Sequence, residues 1–80
     1  MSLDDAIAEM KNKILAASPG AEIKVVKMSD EEARLSVFAP KGDLEAIRAA
    51  TLQPAMDYLN KEGVDLQVFA YDKDAPPLKG

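Results

Sequence analysis

The side chains most able to do chemistry in this chain are carboxylates and amines. Its 80 residues hold 14 Asp and Glu and 10 Lys and Arg, with no histidine and no cysteine. The missing histidine removes the usual general base near neutral pH and the commonest transition-metal ligand. The missing cysteine removes thiolate nucleophiles, disulfides, thiolate zinc sites and cysteine-held iron–sulfur clusters. Paired carboxylates can still do acid–base work, but only in a cleft that raises the pKa of one of them. The carboxylates here are spread over turns and helix ends, where solvation and capping account for them. Asp30, Glu31 and Glu32 form the densest run. A calcium loop needs several oxygens at fixed spacing and usually a glycine at its turn, and neither is present, so the run reads as a solvated hairpin turn. Asp72 and Asp74 read the same way. Ser36 and Thr51 have no evident base partner. Gly42 precedes a helix, but one glycine is not a phosphate-binding loop. The expectation is no catalytic site, no metal and no cofactor.

A second chemistry is recognition by exposed rings and cations, and it depends on the elements that place them. The stretch Ala33 to Ala39 alternates cleanly: Ala33, Leu35, Val37 and Ala39 point one way, and Arg34, Ser36 and Phe38 the other. That is the period of a strand, made mostly of strand formers, and it is placed at the centre of a small sheet. Before it, Ser2 opens a helix with Asp5 at the position of a capping-box acid. Leu3, Ile7, Met10 and Ile14 recur at helical spacing, and Ser18-Pro19-Gly20 stops the run. Glu22 to Met28 forms a strand that turns through Ser29 to Glu32 into the central one, as an antiparallel hairpin.

After the central strand, Asp43 is placed as an N-cap. A helical pattern follows through Leu44, Ile47 and Ala50. Pro54 lacks an N–H, and in a continuous helix its ring clashes with the carbonyl of Ala50, at a cost of about 3 kcal/mol. The apolar spacing changes phase at the same place, to Leu52, Ala55, Met56 and Leu59. The pattern therefore predicts two short helices, with Pro54 in the first turn of the second and Gly63 as its left-handed cap. Val64 to Tyr71 forms the last strand, parallel to the central one through a right-handed crossover. The expected fold is α+β: a two-layer sandwich in the order α-β-β-α-α-β. Its three-stranded mixed sheet has the order 1-2-3, with helices on one face. One domain spans residues 1–72, followed by a flexible C-terminal tail over 73–80.

This order of elements resembles the type II KH architecture, which BolA-like proteins share and the NifU C-terminal domain approximates. The resemblance covers Ser2 to Tyr71 and lies in topology and spacing. Type II KH domains that bind RNA carry Gly-x-x-Gly between the paired helices, where this chain has Thr51-Leu52-Gln53-Pro54. NifU-like domains carry Cys-x-x-Cys where this chain has Ala39-Pro40-Lys41-Gly42, and BolA-like proteins use a histidine that it lacks. What the resemblance implies is therefore a fold, and fold alone does not carry function.

The alternation puts Lys24, Val26, Met28, Arg34, Phe38, Phe69 and Tyr71 on the sheet face away from the core. Both phenylalanines and one of the two tyrosines are among them. With helices on one side only, that face meets water, and an apolar patch there points to a protein partner or a second copy. A strand edge offers another docking route. The chain is thus expected to be a small non-catalytic protein-interaction domain. The alternative is a degenerate KH-like binder of single-stranded nucleic acid, with bases stacked on Phe38 or Phe69 and phosphates met by Lys24 or Arg34. A net charge of −4 disfavours nucleic acid and anionic lipid. No apolar run approaches the roughly 20 residues of a membrane span, and a cytoplasmic location is expected.

Overall fold

A computed structural model describes residues 1–75 of the chain. Helix α1 (Leu3–Ala17) begins with the expected capping box. The Asp5 N–H donates to Ser2 Oγ at 3.1 Å, and the Ser2 N–H donates to Asp5 Oδ2 at 3.2 Å. The backbone bond from Ser2, reinforced by the Ser2 side chain, holds the Asp5 carboxyl below its ordinary value. Leu3, Ala6, Ile7, Met10 and Ile14 form the buried stripe of α1.

The strands β1 (Glu22–Lys27), β2 (Glu32–Ala39) and β3 (Asp65–Asp72) form one sheet in the order β1-β2-β3. β1 is antiparallel to β2, with Val25 opposite Leu35, and β3 is parallel to β2, with Val68 opposite Leu35. This is the expected α+β class, sheet order and mixed pairing. The inward residues Ala33, Leu35, Val37 and Ala39 of β2 are fully buried, and α1 and α2 (Leu44–Asp57) supply the rest of the core.

The region after β2 departs from expectation. A 3-10 turn at Lys41–Asp43 leads into α2, which continues through Pro54 and closes in a wide π turn at Tyr58–Glu62. The two short helices expected from Pro54 are one element. Ile47, Thr51, Ala55 and Tyr58 explain why, because a single helix keeps all four in one row against the sheet. Ile47, Thr51 and Tyr58 are buried and Ala55 packs on the core. Burying a large apolar side chain is worth about 1.5–3 kcal/mol, so two such residues match or exceed the proline penalty. The shifted apolar row is not a second core stripe: Leu52, Met56 and Leu59 are 66%, 48% and 51% exposed.

Asp43 is also not the expected cap, since its side chain makes no capping bond. Its Oδ2 instead accepts from the fully buried Ser18 Oγ at 2.7 Å, tying the end of α1 to the start of α2. Gly63 does take the left-handed conformation, with φ of 67°. After β3, the Lys73 N–H donates to the Ala39 carbonyl at 3.0 Å, and the Ala75 N–H donates to the Asp72 carbonyl at 3.2 Å. Residues 76–80 of the expected tail lie outside the described residues.

The two helices are joined again by Tyr58, whose hydroxyl donates to Glu9 Oε1 at 2.8 Å. Burial, then the bond to Glu9 and its charge, push the Tyr58 phenol up to about 12. An unfolded tyrosine ionises near 10. The contribution is therefore fully present below pH 10 and is lost as pH rises through about 12. In urea titrations, Tyr58→Phe should lower stability by about 1 kcal/mol at pH 7. It should also lose less stability than wild type between pH 10 and 12. Equal pH slopes in the two proteins would contradict this account. Pro54→Ala restores the missing N–H and should raise stability by about 2 kcal/mol without changing the helical circular dichroism by more than a residue or two.

Candidate interaction surface

The outer face of the sheet is a grid set by strand register. Glu22, Phe38 and Tyr71 stand in one row, and Lys24, Ser36 and Phe69 in the next. Val26, Arg34 and Gln67 form a third row, with Glu32 beside Asp65 beyond it. Neighbouring strands lie about 4.8 Å apart, so side chains within a row touch and long ones reach the diagonal. The Phe38 and Tyr71 rings are stacked, with centroids 5.3 Å apart and planes 25° from parallel. The two cations reach along the diagonals. Lys24 Nζ lies 5.4 Å from the Phe38 centroid, and the Arg34 guanidinium carbon lies 5.5 Å from that of Phe69. Each cation is attracted by the ring quadrupole while its aliphatic stem covers part of the apolar face.

Five of the seven residues anticipated for this face thus stand in two contacting groups on adjoining rows, Lys24, Phe38 and Tyr71 in one and Arg34 and Phe69 in the other. Val26 stands next to Arg34 and is exposed. Met28 lies one residue past the end of β1, where its N–H donates to the Glu32 carbonyl at 2.9 Å, and its side chain is exposed. Phe69 and Tyr71 are 42% and 47% exposed. The polar members hold the grid in place. Gln67 Nε2 donates to Glu32 Oε2 at 3.0 Å across the β2–β3 seam. The face carries the cations Lys24 and Arg34 and the carboxylates Glu22, Glu32 and Asp65, so neither sign dominates.

A second surface was not foreseen from sequence. Between α2 and the free side of β3 runs a groove of about 380 Å3, lined by Arg48, Thr51, Leu52, Ala55 and Val68. Thr51 satisfies its hydroxyl inside the helix, donating to the Ile47 carbonyl at 2.9 Å, so it presents its methyl side to its neighbours. The signal for this groove was the phase change at Leu52, which marks a helix with more apolar surface than one core can take up.

Among the described residues, no group of three or more Asp or Glu is placed to hold a metal ion, and no helix is long and apolar enough to cross a membrane. Searches against protein-family models, curated proteins and solved structures found no match to this chain.

The ring-stacking geometry is testable apart from any function. A double-mutant cycle with Phe38→Ala and Tyr71→Ala should give a coupling energy of about 0.5–1.5 kcal/mol in urea denaturation. A cycle between Phe38 and the separate Phe69 should give a clearly smaller value.

Proposed function

We propose that this chain is a non-catalytic interaction domain of the cytoplasm that docks through the outer face of its sheet, with a second copy of itself as the occupant. The observation carrying this reading is the set of three rings, Phe38, Tyr71 and Phe69, on adjoining rows of the uncovered face, bordered by Val26 and Met28. An isologous contact needs a surface complementary to itself. A two-fold axis across the strands lays the Glu32 and Asp65 row of one face over the Glu22, Phe38 and Tyr71 row of the other, with Lys24 in the adjoining row. An axis along the strands would instead set Arg34 against its own copy.

The size of the face sets the strength. Two strands of eight residues and one of six cover about 350 Å2 per copy. A stable interface takes about 800 Å2 per partner. An interface of this size belongs to the weak, transient class, so the association operates where copies are concentrated or held together.

The resemblance to type II KH architecture suggests a second reading, single-stranded nucleic-acid binding, in which bases stack on Phe38 or Phe69. The carboxylates Glu22, Glu32 and Asp65 on the same face count against it, as does the −4 net charge. Sedimentation velocity from 10 µM to 2 mM should show a reversible monomer–dimer shift in wild type. Phe38→Ser combined with Phe69→Ser should abolish it while leaving the far-ultraviolet circular dichroism intact. A wild type that stays monomeric throughout the range removes the self-docking reading. Binding of a twelve-nucleotide uridine RNA that weakens steeply between 50 and 200 mM salt would put the nucleic-acid reading in its place.

A further inference from the structure

β3 is an edge strand, and its hydrogen bonding to β2 shows which of its backbone groups are free. The Asp65 N–H donates to the Glu31 carbonyl at 2.8 Å, and eight residues later the Lys73 N–H donates to the Ala39 carbonyl at 3.0 Å. In a parallel ladder the backbone groups that bond one neighbour recur at every second residue. Asp65, Gln67, Phe69, Tyr71 and Lys73 therefore face β2. Leu66, Val68 and Ala70 turn their N–H and C=O groups to the open side. The side chains of these three point to the helix layer, since Leu66 is buried and Val68 and Ala70 pack on the core.

The groove lies between α2 and this strand. Val68 forms its floor, and Leu52, Ala55 and Thr51 of α2 form its wall. Arg48 is the one charged residue lining it, and no carboxylate pairs with Arg48 among the described residues. A strand that bonds to Leu66, Val68 and Ala70 lies beneath this wall. Its residues opposite Val68 then send their side chains into the groove. Backbone bonds would supply the attachment and the groove the selection, the mode of strand addition to a sheet edge.

We propose that the β3 edge and the α2 groove together form a binding site for an extended peptide segment, one with an apolar side chain opposite Val68 and a carboxylate two residues away to meet Arg48. Charge favours a segment with a carboxylate, because Arg48 lines the groove with no acidic partner among the described residues. The site uses backbone groups and side chains that the outer-face contact does not, so it stands or falls independently of the self-docking reading.

The probe is the heptapeptide Thr-Glu-Thr-Val-Thr-Glu-Thr, acetylated and amidated. Its valine takes the central position, and its two glutamates allow either strand direction. Titrated into the full-length 15N-labelled protein below its self-association range, it should shift the amide signals of Leu66, Val68, Ala70 and Arg48 to Ala55. It should slow amide hydrogen exchange at Leu66, Val68 and Ala70 at least tenfold. N-methylation of the peptide amides that face β3 should abolish these effects, while N-methylation of the alternate amides should leave them. Exchanging both glutamates for lysine should weaken binding about three- to tenfold, and Arg48→Glu should reverse that preference. Phe38→Ser should leave peptide binding unchanged. Shifts confined to Phe69 and Tyr71, equal effects of the two methylation patterns, or no response at 2 mM peptide would overturn the proposal. So would protection of Val68 in the free protein, whether it vanishes on dilution, as for a second copy, or persists, as for an edge closed by the chain's own residues.

Discussion

The structure depends on β2 being hydrogen-bonded on both sides. Among the described residues it is the only strand with two neighbours, and its inward residues Ala33, Leu35, Val37 and Ala39 are all fully removed from solvent. The buried apolar residues of both helices pack into the same core as this row. Met10 and Ile14 from α1 and Ile47 from α2 are also fully buried, so the core is one layer of contact between two helices and one sheet face. Among the described residues no helix covers the opposite sheet face, and Phe69 and Tyr71 are exposed there.

Alanine controls how closely the layers meet. Ala33 and Ala39 bracket Leu35 and Val37 on β2, and Ala6 of α1 is buried in the same core. Small residues at these positions limit the side-chain volume between the layers. Tyr58 is the only aromatic side chain counted in the core, at the periphery where its hydroxyl reaches Glu9. The other rings that the sheet carries are outside, and they are dressed by their own neighbours. The stems of Lys24 and Arg34 lie over Phe38 and Phe69, and Tyr71 covers one side of Phe38. This dressing lowers the apolar area that water meets without removing it, which fits a face that exchanges partners weakly better than one locked into a permanent assembly.

Strand alternation was the readable part of the sequence, because a period of two admits one inward set and a one-residue slip would turn every side chain over. Leu35 and Val37 inward, Phe38 outward, and the same division on β3 followed from it. Local signals also held where nothing distant competed with them, as at the Ser2 capping box and the left-handed Gly63. They failed where tertiary contacts outbid them. Pro54 announces a break, yet the row of Ile47, Thr51, Ala55 and Tyr58 keeps α2 whole. Asp43 has the chemistry of a cap, yet Ser18, distant in sequence, takes its carboxylate. The Tyr58–Glu9 bond spans 49 positions and leaves no trace in local spacing. The groove was hidden for a related reason: Leu52, Met56 and Leu59 look like core residues until the geometry of one continuous helix turns them away from it.

β3 is where the open face and the open edge meet, and its pleat keeps the two apart. Residues that bond β2 through their backbone, such as Phe69 and Tyr71, send their side chains to the outer face. Residues with free backbone groups, such as Val68, send theirs to the helix layer. An object lying on the outer face therefore touches side chains whose backbone groups are already paired, and an object joining the edge touches backbone groups whose side chains are already turned inward. The two contacts compete for no atom. They are nonetheless carried by one short strand held to the sheet on a single side, so whatever stiffens β3 at its edge also fixes the platform on which Phe69 and Tyr71 stand.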